Sequence, residues 1–125
     1  MIKLVYCIVR HSEVSQGEFH RYWLEEHGPR VRGHAKAMNA VRYVQSHTLE
    51  SDLNDGLVAS RGCQGPYDGI TEVWWQSEDE MRAALGTDAG REAGVDLLKD
   101  EARFIDLAAS RVFMTEEHEI FDLRP

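Results

Sequence analysis

His27 is the side chain whose type and position best suit it to chemistry. Phe19, Trp23 and His27 recur every four residues, so on a helix they lie along one face. An imidazole can take or give a proton near neutral pH, and a positioned one accelerates a reaction by about 10²–10⁴-fold. The spacing predicts that His27 is a general acid or base turned toward whatever the helix covers. The alternative is that it only caps the end of the helix.

Three polar side chains alternate along the second predicted strand. Tyr43, Gln45 and His47 share one face of it. If the aromatic face of the helix covers this strand, His27 and Tyr43 line one cavity. Tyr43 would then position a substrate oxygen, with Gln45 and His47 as substrate contacts. The alternative is that these side chains are solvated or bonded to one another.

A second set of polar residues lies before the third predicted strand. We expect Asp68 to orient His27 or His47 by a hydrogen bond and to tune its basicity. Arg61 lies in the long segment that precedes this strand, where a guanidinium can meet a carboxylate or an enolate oxygen. Tyr67 is a further candidate for substrate contact. A few convergent polar groups of this kind are typical of ligand sites.

The apolar wall of the expected cavity includes tryptophan. Trp74 and Trp75 are adjacent at the end of the third predicted strand, so they point to opposite faces. The alternation leaves open which of the two lines the cavity. Trp75 and Trp23 are included among the candidate substrate contacts, and the alternative for both is core packing.

The sequence contains signals for both ends of the helix that carries His27. Ser15 and Glu18 form a capping box at its first turn. Pro29 lacks an N–H and disfavours helical backbone at the residue before it, so we expect the helix to end or kink at His27–Gly28. A second helical piece is expected over Pro29–Met38.

The rest of the chain alternates between strand-like and helix-like patterns. The further elements are predicted as strands over residues 2–10, 40–47, 69–76 and 111–119 and as helices over 77–85 and 88–107. The segment 48–67 is either a lid over a binding site or a surface insertion, with Ser51 capping a short helix.

This order, β-α-β-β-α-β, predicts a ferredoxin-like α+β fold with helices on one face of an antiparallel sheet. Residues 1–125 are expected to form a single domain. The first strand is apolar on both faces, yet the helices cover only one of them. We therefore predict a homodimer in which two sheets pack together as one α+β barrel.

Composition narrows the classes of partner. The 125 residues carry a net charge of −8, which argues against nucleic acid and against anionic membrane surfaces. The two cysteines form no disulfide framework or metal-ligand pattern, and Cys7 is expected to be a small core residue. No signal-peptide cleavage site and no membrane-spanning run is evident, so a cytoplasmic location is expected.

Metal and nucleotide sites are not predicted. His20, His27 and His34 recur every seven residues, whereas metal-binding pairs on a helix are spaced by three or four. No glycine-rich phosphate loop and no nucleophile elbow is present. We expect no metal and no cofactor.

Several segments resemble the EthD-like family of dimeric α+β-barrel proteins. They are IKLVYCIVR, FHRYWLEEHGPRV, VRYVQSHTL, PYDGITEVWW and DEARFIDLAAS, which follow in the same order over nearly the whole chain. The resemblance implies a ferredoxin-like dimer with a pocket between helices and sheet in each subunit. In a branch of methylmuconolactone isomerases, a histidine near the end of the first helix and a tyrosine on the second strand work in that pocket. They match His27 and Tyr43.

The leading hypothesis is a cofactor-independent lyase or isomerase. Its substrate would be a small cyclic or aromatic, oxygenated compound, and His27 would be its general acid or base. One alternative is a non-catalytic protein that binds a small molecule in a degradative or polyketide pathway. A further alternative is a small monooxygenase on the same fold.

Overall fold

The sheet has the ferredoxin-like arrangement that the pattern predicts. The computed structural model describes residues 1–125, and its four strands form one antiparallel sheet in the order β2-β3-β1-β4. The strands are Ile2–Ile8 (β1), Arg42–His47 (β2), Gly69–Trp75 (β3) and Arg111–Glu116 (β4). The two central strands are therefore β1 and β3, and the α+β fold class is confirmed.

Helices connect the strands at the expected places. They are Gln16–Tyr22 (α1), Gly28–His34 (α2), Asp52–Arg61 (α3), Glu78–Leu85 (α4) and Asp88–Glu101 (α5). Ser15 accepts a hydrogen bond from the Glu18 N–H at 3.2 Å, and Ser77 accepts one from Glu80 at the same distance. These caps confirm the predicted helix starts, whereas α5 ends at Glu101 and not at residue 107.

The helix was expected to end or kink at His27–Gly28, and it does not end there. A π-helical turn, Trp23–His27, joins α1 to α2 without interruption. Within it the Gly28 N–H donates to the Trp23 carbonyl, five residues back. A proline ring crowds the carbonyl four residues before it, and a wider turn relieves that contact. Pro29 then occupies the first turn of α2, where no N–H is needed, so His27 lies inside a continuous helical segment and not at an end.

Strand register decides which side chains face the helices. Leu4 pairs with Val73 and Tyr6 pairs with Thr71 across β1 and β3. These residues lie on the helix side, and alternation puts Trp75 there with them. The opposite face carries Lys3, Glu72 and Trp74, and the first two form a 2.6 Å ion pair.

The main buried cluster lies where α1, the π turn and the residues that follow α5 meet β1. It consists of Ile8, Phe19, Trp23, Phe104 and Ile105. A Cβ at Gly69 would overlap the Trp23 ring, so only glycine lets this ring lie flat against the start of β3. The indole position is thus set by a missing side chain on the sheet.

The second face of the sheet has no covering helix. Besides the buried Trp74, its apolar residues are Val5, Cys7, Val44, Ile70 and Phe113, which are partly or largely exposed in the single chain. Cys7 therefore lies on this face and not in the core, which corrects its expected place. None of the helices is both long and apolar enough to cross a membrane.

The segment 48–67 forms a surface element. Ser51 caps α3, and Gly62 ends it in the left-handed conformation at φ 61°. No residue of α3 is buried, and none of the segment lines the cavity described below. The segment is a surface insertion in this structure, and the hypothesis that it forms a lid over the binding site is not supported.

Candidate functional site

A cavity of about 260 Å³ lies between the helices and the sheet. Thirteen of its sixteen lining residues are hydrophobic, and the three others are His27, Thr71 and Glu101. Two lining residues, Leu98 and Val112, are 54% and 52% exposed, so the cavity reaches the surface between α5 and β4. An apolar chamber with a few polar groups is the usual form of a small-molecule site.

His27 is held rigidly in the wall of this cavity. The residue is 5% exposed, and its Nδ1 lies 2.7 Å from Oδ2 of Asp100 on α5. Asp100 is itself 2% exposed and accepts a second hydrogen bond, 2.5 Å long, from the Tyr22 hydroxyl. His27 Nε2 has no hydrogen-bond partner in the protein and is not sealed from solvent. It is therefore the ring atom available to a ligand.

The protonation states follow from this geometry. Burial acts to raise the pKa of Asp100, but the hydrogen bonds donated by Tyr22 and His27 outweigh it, so this pKa lies below its usual value. Burial lowers the pKa of His27 in spite of the nearby carboxylate. An ionised Asp100 can only accept, so Nδ1 carries the proton of the neutral imidazole and Nε2 carries the lone pair. The arrangement can accept a proton from a bound ligand.

Tyr43 lies on the sheet side of the same cavity, as expected. Gln45 Nε2 donates to the Tyr43 hydroxyl oxygen at 2.9 Å and to the Trp23 carbonyl at 2.7 Å. Burial raises the pKa of Tyr43, so it is a neutral phenol. His47 Nε2 donates to the Gln45 amide oxygen at 2.9 Å, and its ring stacks on Trp23 at 4.5 Å. Gln45 and His47 therefore position cavity residues and do not line the cavity themselves.

The two adjacent tryptophans of β3 lie on opposite faces of the sheet. Trp75 and Trp23 line the cavity, and Trp75 Nε1 donates to the Met38 carbonyl at 2.7 Å. Trp74 lies on the opposite face, where its ring lies 4.4 Å from the guanidinium carbon of Arg42.

Asp68, Arg61 and Tyr67 lie away from this cavity. Asp68 accepts a 2.8 Å hydrogen bond from the Arg10 backbone N–H and bonds neither His27 nor His47, so its expected orienting role is corrected. Arg61 is exposed on α3 and donates to Ser60. Tyr67 borders a separate shallow depression. The placement of these residues was predicted from strand ends, but none of the three lines the cavity.

Sequence reasoning missed two carboxyl groups on α5. The buried residues of α5 form one helical stripe with spacings of three, four and three: Gly90, Ala93, Leu97 and Asp100. A carboxylate on an apolar stripe of this kind is the signal that could have identified Asp100. The next residue, Glu101, lines the cavity, and burial raises its pKa to about 7.

Two other features bear on the assignment. A larger and more open groove, of about 630 Å³, lies outside α2 and β2 and shares Val31 and Tyr43 with the cavity. It has no buried titratable group other than Tyr43, so the cavity is the better candidate site. No group of three or more His, Cys, Asp or Glu side chains is placed to hold a metal ion.

Comparisons with solved structures agree with the architecture. An EthD family protein from Bacillus halodurans is 18% identical with a TM-score of 0.62, covering 94% of this chain and 99% of that one. SnoaB, a cofactor-independent oxygenase from Streptomyces nogalater, is 12% identical with a TM-score of 0.58, covering 94% and 93%. A dimeric ferredoxin-like protein from Thermobifida fusca is 16% identical with a TM-score of 0.55, covering 91% and 88%.

The sequence comparisons are more specific. A search of curated protein sequences gave no match. The profile of the EthD domain matches residues 11–108, a span that contains the π turn, His27, β2, β3 and both α5 carboxyl groups. Because this match covers most of the chain and the fold agrees with it, the chain belongs to the EthD family.

Proposed function

We propose that this protein is a cofactor-independent enzyme of the lyase or isomerase type, acting on a small cyclic or aromatic oxygenated substrate. The observation that carries the proposal is the buried contact between His27 and Asp100. It leaves an unprotonated Nε2 on a residue that lines an apolar cavity, which suits a general base. The limited cavity volume and its aromatic wall favour a compact ring over an extended chain.

The roles of the side chains follow from their positions. His27 Nε2 would remove a proton from the bound substrate and return it at another atom, or to a leaving group. The Tyr43 hydroxyl, held by Gln45, would donate a hydrogen bond to a substrate oxygen. Asp100 and Tyr22 would position the imidazole and stabilise its charged form.

The test is a survey of turnover with cyclic ketones, lactones and phenolic acids, followed by nuclear magnetic resonance. The His27→Gln variant should lose the activity that the wild type shows. His118→Gln is the matched control, because His118 is exposed beyond β4. Full turnover by His27→Gln would rule out the proposed role of His27. Binding without any turnover would favour the alternative of a non-catalytic binding protein.

A second candidate is cofactor-independent oxygenation, which the structural likeness to SnoaB favours. The two chemistries differ in their need for oxygen. An isomerase or lyase works at the same rate in anaerobic buffer, whereas an oxygenase stops and consumes dissolved oxygen when aerated. An oxygen electrode trace during turnover therefore distinguishes them.

We also propose that the protein is a cytoplasmic homodimer. The uncovered sheet face offers Val5, Val44, Ile70 and Phe113 as an apolar surface, and a second copy of the same face would bury it. The dimeric relative from Thermobifida fusca supports this. The two unpaired cysteines, Cys7 and Cys63, suit a reducing compartment.

A further inference from the structure

A second carboxyl group faces the cavity beside the His27–Asp100 pair. Asp100 and Glu101 are consecutive on α5, so their side chains leave the helix about 100° apart. Asp100 is turned to His27 Nδ1, while Glu101 lines the cavity with Leu97 and Ile105. One turn of α5 therefore supplies both the group behind the imidazole and a group in the chamber that the imidazole faces.

The surroundings of Glu101 favour its neutral form. Burial raises its pKa to about 7, the Tyr6 hydroxyl on β1 acts to lower it, and the charge of Asp100 raises it further. Burial and the neighbouring Glu101 raise the pKa of Tyr6, so Tyr6 is a neutral phenol. The other titratable groups lining the cavity are Tyr43 and His27, both uncharged near neutral pH. Near neutral pH a partly protonated carboxyl group and a neutral imidazole thus line one chamber, a pairing typical of acid–base catalysis.

We propose that Glu101 is a second proton-transfer residue of this site, and that the substrate is a compact cyclic carbonyl compound with a C–H bond next to its carbonyl group. The inference rests on the proposed role of His27 as the base. Glu101 would be the acid that donates a proton to the carbonyl oxygen, and Tyr43 would position that oxygen by a hydrogen bond.

The proposed step is an enolisation with no change of oxidation state. His27 Nε2 takes the proton of the C–H bond, and the electron pair of that bond becomes the new carbon–carbon double bond. The π pair of the carbonyl bond moves to oxygen, which takes the proton of Glu101. The products are the enol, an imidazolium and a carboxylate. Return of the oxygen proton to Glu101, with protonation of carbon by the imidazolium, restores both residues and gives the ketone or its isomer.

Access to the chamber agrees with this substrate class. The cavity opens between Leu98 on α5 and Val112 on β4, and Glu101 lies one turn along α5 from Leu98. A ligand entering there meets apolar side chains before it reaches the acid and the base. A neutral ring compound with one oxygen suits such a path better than a charged one.

The experiment uses 2-indanone, a compact aromatic-fused ketone, as the probe. Exchange of its α-hydrogens for deuterium is followed by nuclear magnetic resonance in D₂O, and binding is followed by fluorescence of Trp23 and Trp75. We expect Glu101→Gln to slow enzyme-catalysed exchange roughly tenfold or more while 2-indanone still binds. Glu101→Asp should recover part of the rate. The matched control is Glu92→Gln, since Glu92 is exposed on the same helix. This variant should catalyse hydrogen exchange of 2-indanone at the wild-type rate.

The outcomes separate this inference from the proposed function. If His27→Gln abolishes exchange but Glu101→Gln and Glu101→Asp keep the wild-type rate and pH profile, Glu101 has no role and only the role of His27 stands. If exchange survives in His27→Gln but not in Glu101→Gln, the proposed function of His27 fails. If the wild-type protein neither binds 2-indanone nor exchanges its hydrogens, the proposed substrate class is overturned.

Discussion

His27 and Asp100 are 73 residues apart in the chain, yet Nδ1 of one lies 2.7 Å from Oδ2 of the other, and their side chains are 6% and 1% exposed. This contact joins the π turn to the end of α5. It fixes the tautomer of the imidazole and leaves Nε2 without a protein partner on a residue that lines the cavity. The first prediction tests whether the contact serves activity as well as packing.

Replacing Asp100 by Asn should lower kcat by about 10²-fold, with a smaller effect on KM. The amide keeps the shape but no longer stabilises the imidazolium, and its NH₂ group conflicts with one of the two donors, Tyr22 or His27. The same change should cost about 1–3 kcal/mol of unfolding free energy. Steady-state kinetics and urea unfolding measure the two effects. Asp96→Asn is the control, because Asp96 bonds Arg30 and His34 near the surface. Equal kcat in wild type and Asp100→Asn would contradict the positioning role.

Acid should destabilise the protein through His27. Burial lowers the pKa of His27 in the folded state below its ordinary value of 6.5, so below that value the unfolded chain binds the proton more readily. Stability from this residue is therefore complete above about pH 6.5 and is lost as the pH falls. Urea unfolding from about pH 7 to about pH 5 should show a steeper loss for the wild type than for His27→Gln. Parallel curves would show that His27 is protonated equally well in both states.

Glu101 should make the protein less stable as the pH rises, opposite to the effect of His27. Its pKa rises from 4.5 to about 7 on folding, so between these values the folded state holds a proton that the unfolded chain has released. The contribution of Glu101 to the free energy of unfolding is complete below pH 4.5 and is lost as the pH rises through 7. Relative to wild type, Glu101→Gln should thus gain about 3 kcal/mol of stability as the pH rises between these values, at about 1.4 kcal/mol for each pH unit. Chemical unfolding at several pH values measures this gain. A pH-independent difference between the two proteins would mean that the pKa of Glu101 does not change on folding.

The contact between Gly69 and Trp23 should tolerate no side chain. In Gly69→Ala the new Cβ would meet the indole ring, which is fully buried and stacked on His47. We expect a loss of about 1–3 kcal/mol, measured by urea unfolding, because overpacking forces the ring or the strand to move. Gly65→Ala is the matched control, since its Cβ would have no neighbour within 4 Å. Equal losses in the two variants would point to backbone effects and not to Trp23.

The uncovered sheet face should hold two copies together. Light scattering of the wild-type protein should give twice the 14.3 kDa mass of one chain. Phe113→Lys should shift it toward the monomer, because a charge would be buried in the apolar interface. Leu57→Lys should remain dimeric, since Leu57 is on α3 and as exposed as Phe113, at 52% against 51%. A monomeric wild-type protein would remove the basis for the barrel.

Local sequence signals were sufficient for the elements and their order. The caps at Ser15 and Ser77 and the alternation around Tyr43 depend on residues within a few positions of one another, so they can be recognised in the chain itself. The strand sequence and helix placement then allowed the ferredoxin-like fold to be predicted. The effect of Pro29 was misjudged, because one proline can be absorbed by a π turn as well as by a break.

The sequence by itself therefore determined the α+β architecture and the presence of an imidazole and a phenol on facing elements. Only the tertiary structure decided which carboxylate holds the imidazole, that Trp75 and not Trp74 faces the cavity, and that Glu101 joins it. The physical reason is that these contacts depend on how α5 is rotated and shifted against the π turn and on which sheet face the helices cover. The rotation and shift of α5 and the choice of sheet face arise from packing between distant segments, so no local sequence pattern predicts them.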